Sequence, residues 1–130
     1  MIDRARLEPW SYAALRVVAG FMFLFHGIQK LFGVLTTKVP PELFSQKWFG
    51  GVIELVGGTL IMVGLFTRPA AFLAAGMTAV AYWQFHVIEK AKMLPIQNGG
   101  ELATLYCFVF LFVFARRAGT ISLDRSLGRA

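Results

Sequence analysis

Long apolar stretches, separated by short polar or proline-containing breaks, divide the chain into four segments. The first runs from about Tyr12 to Phe32 and is interrupted by Arg16, His26, Gln29 and Lys30. The second runs from about Trp48 to Phe66 and carries Glu54 as its one charge. Thr67-Arg68-Pro69 then reads as a tight turn, with a proline suited to the opening of a helix. A third segment follows over 70–88, with Gln84 and His86 near its end, and a fourth over 99–115, closed by Arg116-Arg117. At about 1.5 Å per residue, the first three reach roughly 28–32 Å and the fourth about 25 Å, against a hydrocarbon thickness of about 30 Å. The pattern predicts an all-α fold: a transmembrane up-and-down four-helix bundle, one domain over residues 1–130. Arg4 and Arg6 precede the first apolar run as they would in a secretory signal. That run ends in Phe25-His26-Gly27-Ile28-Gln29-Lys30, a poor small-x-small cleavage site, so a retained helix is expected.

Composition agrees with a membrane setting. Hydrophobic residues make up 57% of the 130 and charged residues only 15%, against about 25% charged in soluble domains. A globule this small leaves too much of its surface wet to hide that much apolar side chain. An ordinary soluble enzyme and a disordered tail are both excluded. The net charge of +6 comes from basic residues scattered singly or in pairs. They form no basic face for nucleic acid and suit the flanks of membrane spans. The single cysteine, Cys107, rules out an internal disulfide or a CxxC pair and reads as a packing residue.

An even number of spans puts both termini on one side, with Arg4, Arg6, Arg68, Arg116, Arg117, Arg125 and Arg129. Lys30, Lys38, Lys47, Lys90 and Lys92 fall on the other. The small excess predicts cytoplasmic termini and a multi-pass protein of the inner membrane. The same threading brings His26, Gln29, Lys30, Glu54, Gln84, His86, Gln97, Asn98 and Glu101 to one face, with Arg16 toward the other. Ionisable groups within a span are costly unless paired or facing an internal cavity. Their segregation therefore predicts one polar pocket opening outward. Helical phase puts Glu54 within about 60° of Gly50, Gly51, Gly57 and Gly58, on a small-residue packing face. His26 shares a face with Ala19 and Met22, and His86 one with Ala75 and Tyr82, which aims both imidazoles at the bundle axis.

Each of these residues also has a plainer reading. Lys30 serves equally as a snorkelling lysine or as a partner for Glu54 or Glu101. Asn98-Gly99-Gly100-Glu101 has the form of an N-cap with an acid three positions on, which makes Glu101 a capping residue, a pocket wall or both. The histidines can simply bond helix to helix. Arg16 lies deep enough to act as an anchor.

The stretches Phe25-His26-Gly27-Ile28-Gln29-Lys30, Gly51-Val52-Ile53-Glu54-Leu55-Val56-Gly57-Gly58, Gly64-Leu65-Phe66-Thr67-Arg68, Pro95-Ile96-Gln97-Asn98-Gly99-Gly100-Glu101 and Ser122-Leu123-Asp124 occur in this order. Together they resemble the DoxX family of small four-helix bacterial membrane proteins, related to the DoxD-type subunit of thiosulfate:quinone oxidoreductase. The resemblance implies an accessory or catalytic membrane subunit of a redox system. It places the family's motif residues on His26, Gln29, Lys30, Glu54, Gln97, Asn98, Glu101 and Asp124.

Three classes of function follow. In the first, the chain is a quinone-reactive subunit. His26, Gln29, Lys30, His86, Gln97 and Asn98 would then bind the ligand, and Glu54 and Glu101 would exchange protons. Electrons would come from a soluble or membrane redox partner, since no Rossmann, haem-attachment or iron–sulfur motif is present. A haem b held by His26 and His86 is a variant that no sequence feature demands. The second class is small-solute or lipid binding or transport, with a homodimer as one way to enlarge a single bundle. The third is a membrane anchor for a soluble redox enzyme.

Overall fold

A computed structural model describes residues 3–129. Among them every regular element is helical. Helix α1 spans Arg4–Phe32, α2 spans 46–63, α3 spans Thr67–Ile88, α4 is the single turn Pro95–Asn98, α5 spans Glu101–Arg116 and α6 is the turn Leu123–Ser126. The first apolar segment thus begins eight residues earlier than its hydropathy indicates. Asp3 accepts a hydrogen bond from the Ala5 amide and caps an amphipathic first stretch, and Pro9 is tolerated inside it. The second segment ends earlier, at residue 63, because Gly64 enters the left-handed region at φ 73°. Helix α3 starts three residues sooner than the apolar run. Its first amides are met by the Asp124 carboxylate, which accepts from Phe66 N at 2.9 Å and Thr67 N at 3.0 Å.

Helix α1 packs on α2, α2 on α3, and α3 on α5. Glycine decides the first of these contacts. A Cβ on Gly58 would lie 2.5 Å from Leu24 N and 2.8 Å from Gly20 O, and one on Gly20 would lie 2.6 Å from Met62 N. Gly27 meets the backbone of Gly51 and Leu55 in the same way, seven residues along. The two antiparallel backbones therefore touch, as small residues permit between membrane helices. The Gly51/Gly58 stripe faces α1, whereas Gly50 and Gly57 have no neighbour closer than 3.9 Å. The α3–α5 contact is made by the buried small face Ala70, Ala71, Ala74, Ala75 and Thr78. Between α1 and α5, by contrast, large rings keep the backbones apart. Phe23 stacks on Tyr106 and Phe110 at centroid distances of 5.4 and 4.8 Å, and Tyr12 meets Phe112 edge-on at 5.8 Å.

Helices α1 and α3 are each long and apolar enough to cross a membrane. Phe21, Phe25, Phe72, Leu73, Phe108 and Phe112 stand exposed along the outer faces of the packed helices. Water would penalise such a surface and lipid would not.

Candidate functional site

Two features of local structure set the position of Glu54. The close glycine contact brings α2 against the last turns of α1. Helix α2 also widens into a π-turn over Ile53–Gly57, with Glu54 inside it. π-Turns are rare and occur often at functional sites. There Lys30 Nζ donates to Glu54 Oε1 at 2.9 Å, with the carboxylate side chain 10% exposed and the lysine 35%. A carboxylate this deep needs its countercharge, while the lysine reaches it from a wetter position. Among the described residues, the second carboxylate oxygen, Oε2, is buried without a partner, and so is the hydroxyl of Tyr106 on α5. His26 sets its ring edge-on to Tyr106 at 5.9 Å from an exposed position on α1. Lys30 and Glu54 thus pair between α1 and α2, and His26 and Tyr106 meet between α1 and α5 on the same stretch of α1, beside the aromatic seam.

His86 belongs to a second cluster. It lies in a π-turn over Tyr82–Ile88, and its Nδ1 is 3.1 Å from the Asn98 carbonyl. A carbonyl oxygen only accepts, so Nδ1 carries a proton in this contact. Lys90 Nζ donates to the same oxygen at 2.8 Å. Asn98 is fully buried. Its amide donates to Tyr82 Oη and the Lys92 carbonyl, and its side-chain oxygen accepts from Gly100 N at 2.8 Å. It is therefore a hub that pins the connection between α3 and α5, not an N-cap. Gly99, at φ 72°, ends α4 and delays the next helix to Glu101.

The remaining sequence candidates spread along the same face. Gln29 Nε2 donates to the Leu35 carbonyl at 3.0 Å and holds the loop that follows α1. Gln84 is bonded to Gln46 on α2. Gln97 and Glu101 are exposed, and Glu101, as the first residue of α5, sits where a negative charge suits the helix dipole. The two histidines stand in different surroundings, His26 against α5 and His86 against α4. No ring contact joins them among the described residues.

Polar residues at the opposite end serve structure. Arg16, 2% exposed, donates to the carbonyls of Ile61, Met62 and Ile121, at 2.6, 2.8 and 2.6 Å. It thereby closes the carbonyl end of α2 and ties down the C-terminal segment. The Tyr12 hydroxyl donates to the Arg117 carbonyl. Burial raises the pKa of Asp124, but hydrogen bonds from Thr67 and Phe66 and the nearby Arg129 outweigh it and hold the carboxyl below its usual range. Sequence reasoning missed Tyr106. The one available signal was a hydroxyl-bearing ring in an otherwise apolar helix.

The DoxX family model matches residues 11–87. An uncharacterized protein of Haemophilus influenzae is 40% identical over 95% of this chain and 96% of its own length. An uncharacterized membrane protein of Mycobacterium tuberculosis is 28% identical over 93% of this chain and 83% of its own. No solved structure matches.

Proposed function

The chain belongs to the DoxX family and is a membrane protein, and from that premise we propose that it is a quinone-reactive subunit of a membrane oxidoreductase. In this reading residues 1–130 form one domain that crosses the inner membrane four times, with both termini cytoplasmic. Helix α5, at 16 residues, spans about 24 Å and is accommodated by local thinning of the bilayer.

A quinone head requires a flat apolar slot, donors to its carbonyl oxygens and a proton source. The α1–α5 seam holds the buried, mutually stacked rings of Phe23, Tyr106 and Phe110, and in this reading the quinone head enters beside them from the lipid, where the isoprenoid tail lies. Tyr106 and His26 donate to the carbonyl oxygens. Reduction to the quinol takes up two electrons and two protons. The electrons come from a redox partner, and protons pass through Glu54 from the wetter side at Lys30. The observation that carries the reading is the pair of buried oxygens without a partner among the described residues, Glu54 Oε2 and Tyr106 Oη, on helices that meet the His26–Lys30 stretch of α1. Such atoms are rare in native structures and call for an explanation. His86 and Asn98 serve this site indirectly, by holding the α3–α5 connection.

The test is binding of a short-chain quinone to protein in lipid nanodiscs, measured by calorimetry against empty nanodiscs. Tyr106→Phe and Glu54→Gln are each expected to weaken binding by about tenfold, the value of one hydrogen bond to a buried partner. His26→Ala should weaken it too. Wild-type affinity in the isosteric Tyr106→Phe and Glu54→Gln variants would refute the site, and a chain that binds no quinone would be left as an anchor.

A further inference from the structure

The face that carries both termini holds a feature the quinone reading does not use. A cavity of about 230 Å³ lies between the start of α3, the end of α5 and the C-terminal segment, lined by Phe66, Arg68, Arg117, Asp124 and Arg129 among others. Three arginines therefore line a cavity with one carboxylate, and that carboxylate is already committed, with one oxygen on the Phe66 amide and the other on the Thr67 amide. Among the described residues, Arg68, Arg117 and Arg129 form no ion pair. Two of them are instead laid over aromatic rings, Arg129 over Phe66 at 4.2 Å and Arg68 over Phe114 at 4.8 Å. A guanidinium stacked by its face keeps its N–H edge free for a planar or tetrahedral anion and loses little freedom on binding one. The cavity is thus a cationic socket in which three arginines outnumber a single carboxylate.

We propose that this socket holds the phosphate of an anionic glycerophospholipid from the adjoining leaflet. What favours a lipid over a free anion is the surface below the socket. Phe114, which carries Arg68, also packs against Phe72, and Phe72 is 59% exposed beside an equally exposed Leu73. An acyl chain extending from a phosphate at Arg68 and Arg129 runs along these side chains toward the membrane interior. Basic pockets between membrane helices recognise anionic headgroups by this combination of charge and flanking apolar surface.

The experiment titrates the full chain, purified in a neutral detergent, with phosphatidylglycerol or with phosphatidylcholine of the same acyl chains. Bound lipid is counted by native mass spectrometry. Phosphatidylglycerol should bind at least about tenfold more tightly. The double variant R68Q/R129Q should lose that preference, at about fivefold for each arginine removed. Both side chains are exposed, and retention of the fold is checked by helical circular dichroism. R4Q/R6Q removes the same charge from the same face outside the socket and should keep the preference. Millimolar inorganic phosphate should leave the lipid bound. Equal binding of the two lipids, an equal loss in R4Q/R6Q, or displacement by phosphate would each overturn the proposal. None of these outcomes depends on whether quinone binds.

Discussion

Two glycines on one helix, Gly50 and Gly58, should respond to the same substitution with opposite sign. A methyl group on Gly58 would sit 2.5 Å from Leu24 N and 2.8 Å from Gly20 O. Ordinary contact begins near 3.4 Å, so α1 and α2 must separate by 0.6–0.9 Å (3.4 − 2.8 and 3.4 − 2.5). A gap of 0.5–1 Å forfeits about a quarter to a half of the attraction between facing atoms, and overpacking of this kind costs about 1–3 kcal/mol. Alanine recovers about 0.5–1 kcal/mol of helix propensity. The net loss expected for Gly58→Ala is therefore about 1 kcal/mol and at most about 2.5 kcal/mol. At Gly50 the nearest atoms are 3.9 Å away, so Gly50→Ala keeps the propensity gain without the clash and should stabilise the chain slightly. Unfolding in mixed micelles of increasing denaturing-detergent fraction, followed by circular dichroism, measures both. The contact is also near Glu54, so the separation should loosen the Lys30–Glu54 pair and weaken quinone binding in Gly58→Ala alone. Equal stability of the two variants would show that α1 and α2 do not touch backbone to backbone.

Two further variants probe the face that carries the termini. Arg16→Met takes the side-chain donor from the Met62 and Ile121 carbonyls and leaves the Ile61 carbonyl with the Gly64 amide alone; at about 1–3 kcal/mol for each buried group left without a donor, it should cost at least about 2 kcal/mol in the same unfolding assay. Arg16→Lys should recover only part of it, because an ammonium lacks the planar fork that reaches all three; full recovery would contradict the geometry. Asp124 stabilises through a carboxyl whose pKa is lower folded than unfolded. Its contribution is therefore complete above the unfolded value of about 3.9 and is lost as pH falls through the folded one. Asp124→Asn should be less stable at neutral pH by about 1 kcal/mol, the usual value of a helix N-cap, and should lack this acid-dependent loss. Parallel pH–stability curves for the two proteins would refute the capping role.

Much of the architecture is legible in the residues themselves. Apolar runs long enough to span hydrocarbon, broken where Gly64 and Pro69 stop one helix and open the next, give the main helices to within a few residues of most ends. Threading alone brings Lys30, Glu54, His86 and Asn98 to one face, since alternate chain direction alternates the ends. Arg16 stands out as too deep to be idle. Asp124 is different: its motif resembles the family's, but nothing local says that it caps a helix more than fifty residues earlier.

The rest was decided by partners. A phase of 100° per residue assumes an unbroken α-helix, and the π-turns at Ile53–Gly57 and Tyr82–Ile88 shift that phase next to Glu54 and His86. Each π-turn is a local loss in hydrogen-bond geometry, retained only where contacts with a neighbouring helix compensate it. Periodicity cannot choose between the Gly50/Gly57 and Gly51/Gly58 stripes. The choice fell to the one that meets Gly20 and Gly27 on α1. His26 and His86, alike in depth along the sequence, separated because one faces the ring of Tyr106 and the other a backbone carbonyl. Chain composition and alternation determined which segments seek lipid and which ends gather charge, because those follow from solvation of each residue. Which polar atoms share a junction, and which remain unpaired there, depends on contacts between distant segments, and only the packed structure determines those.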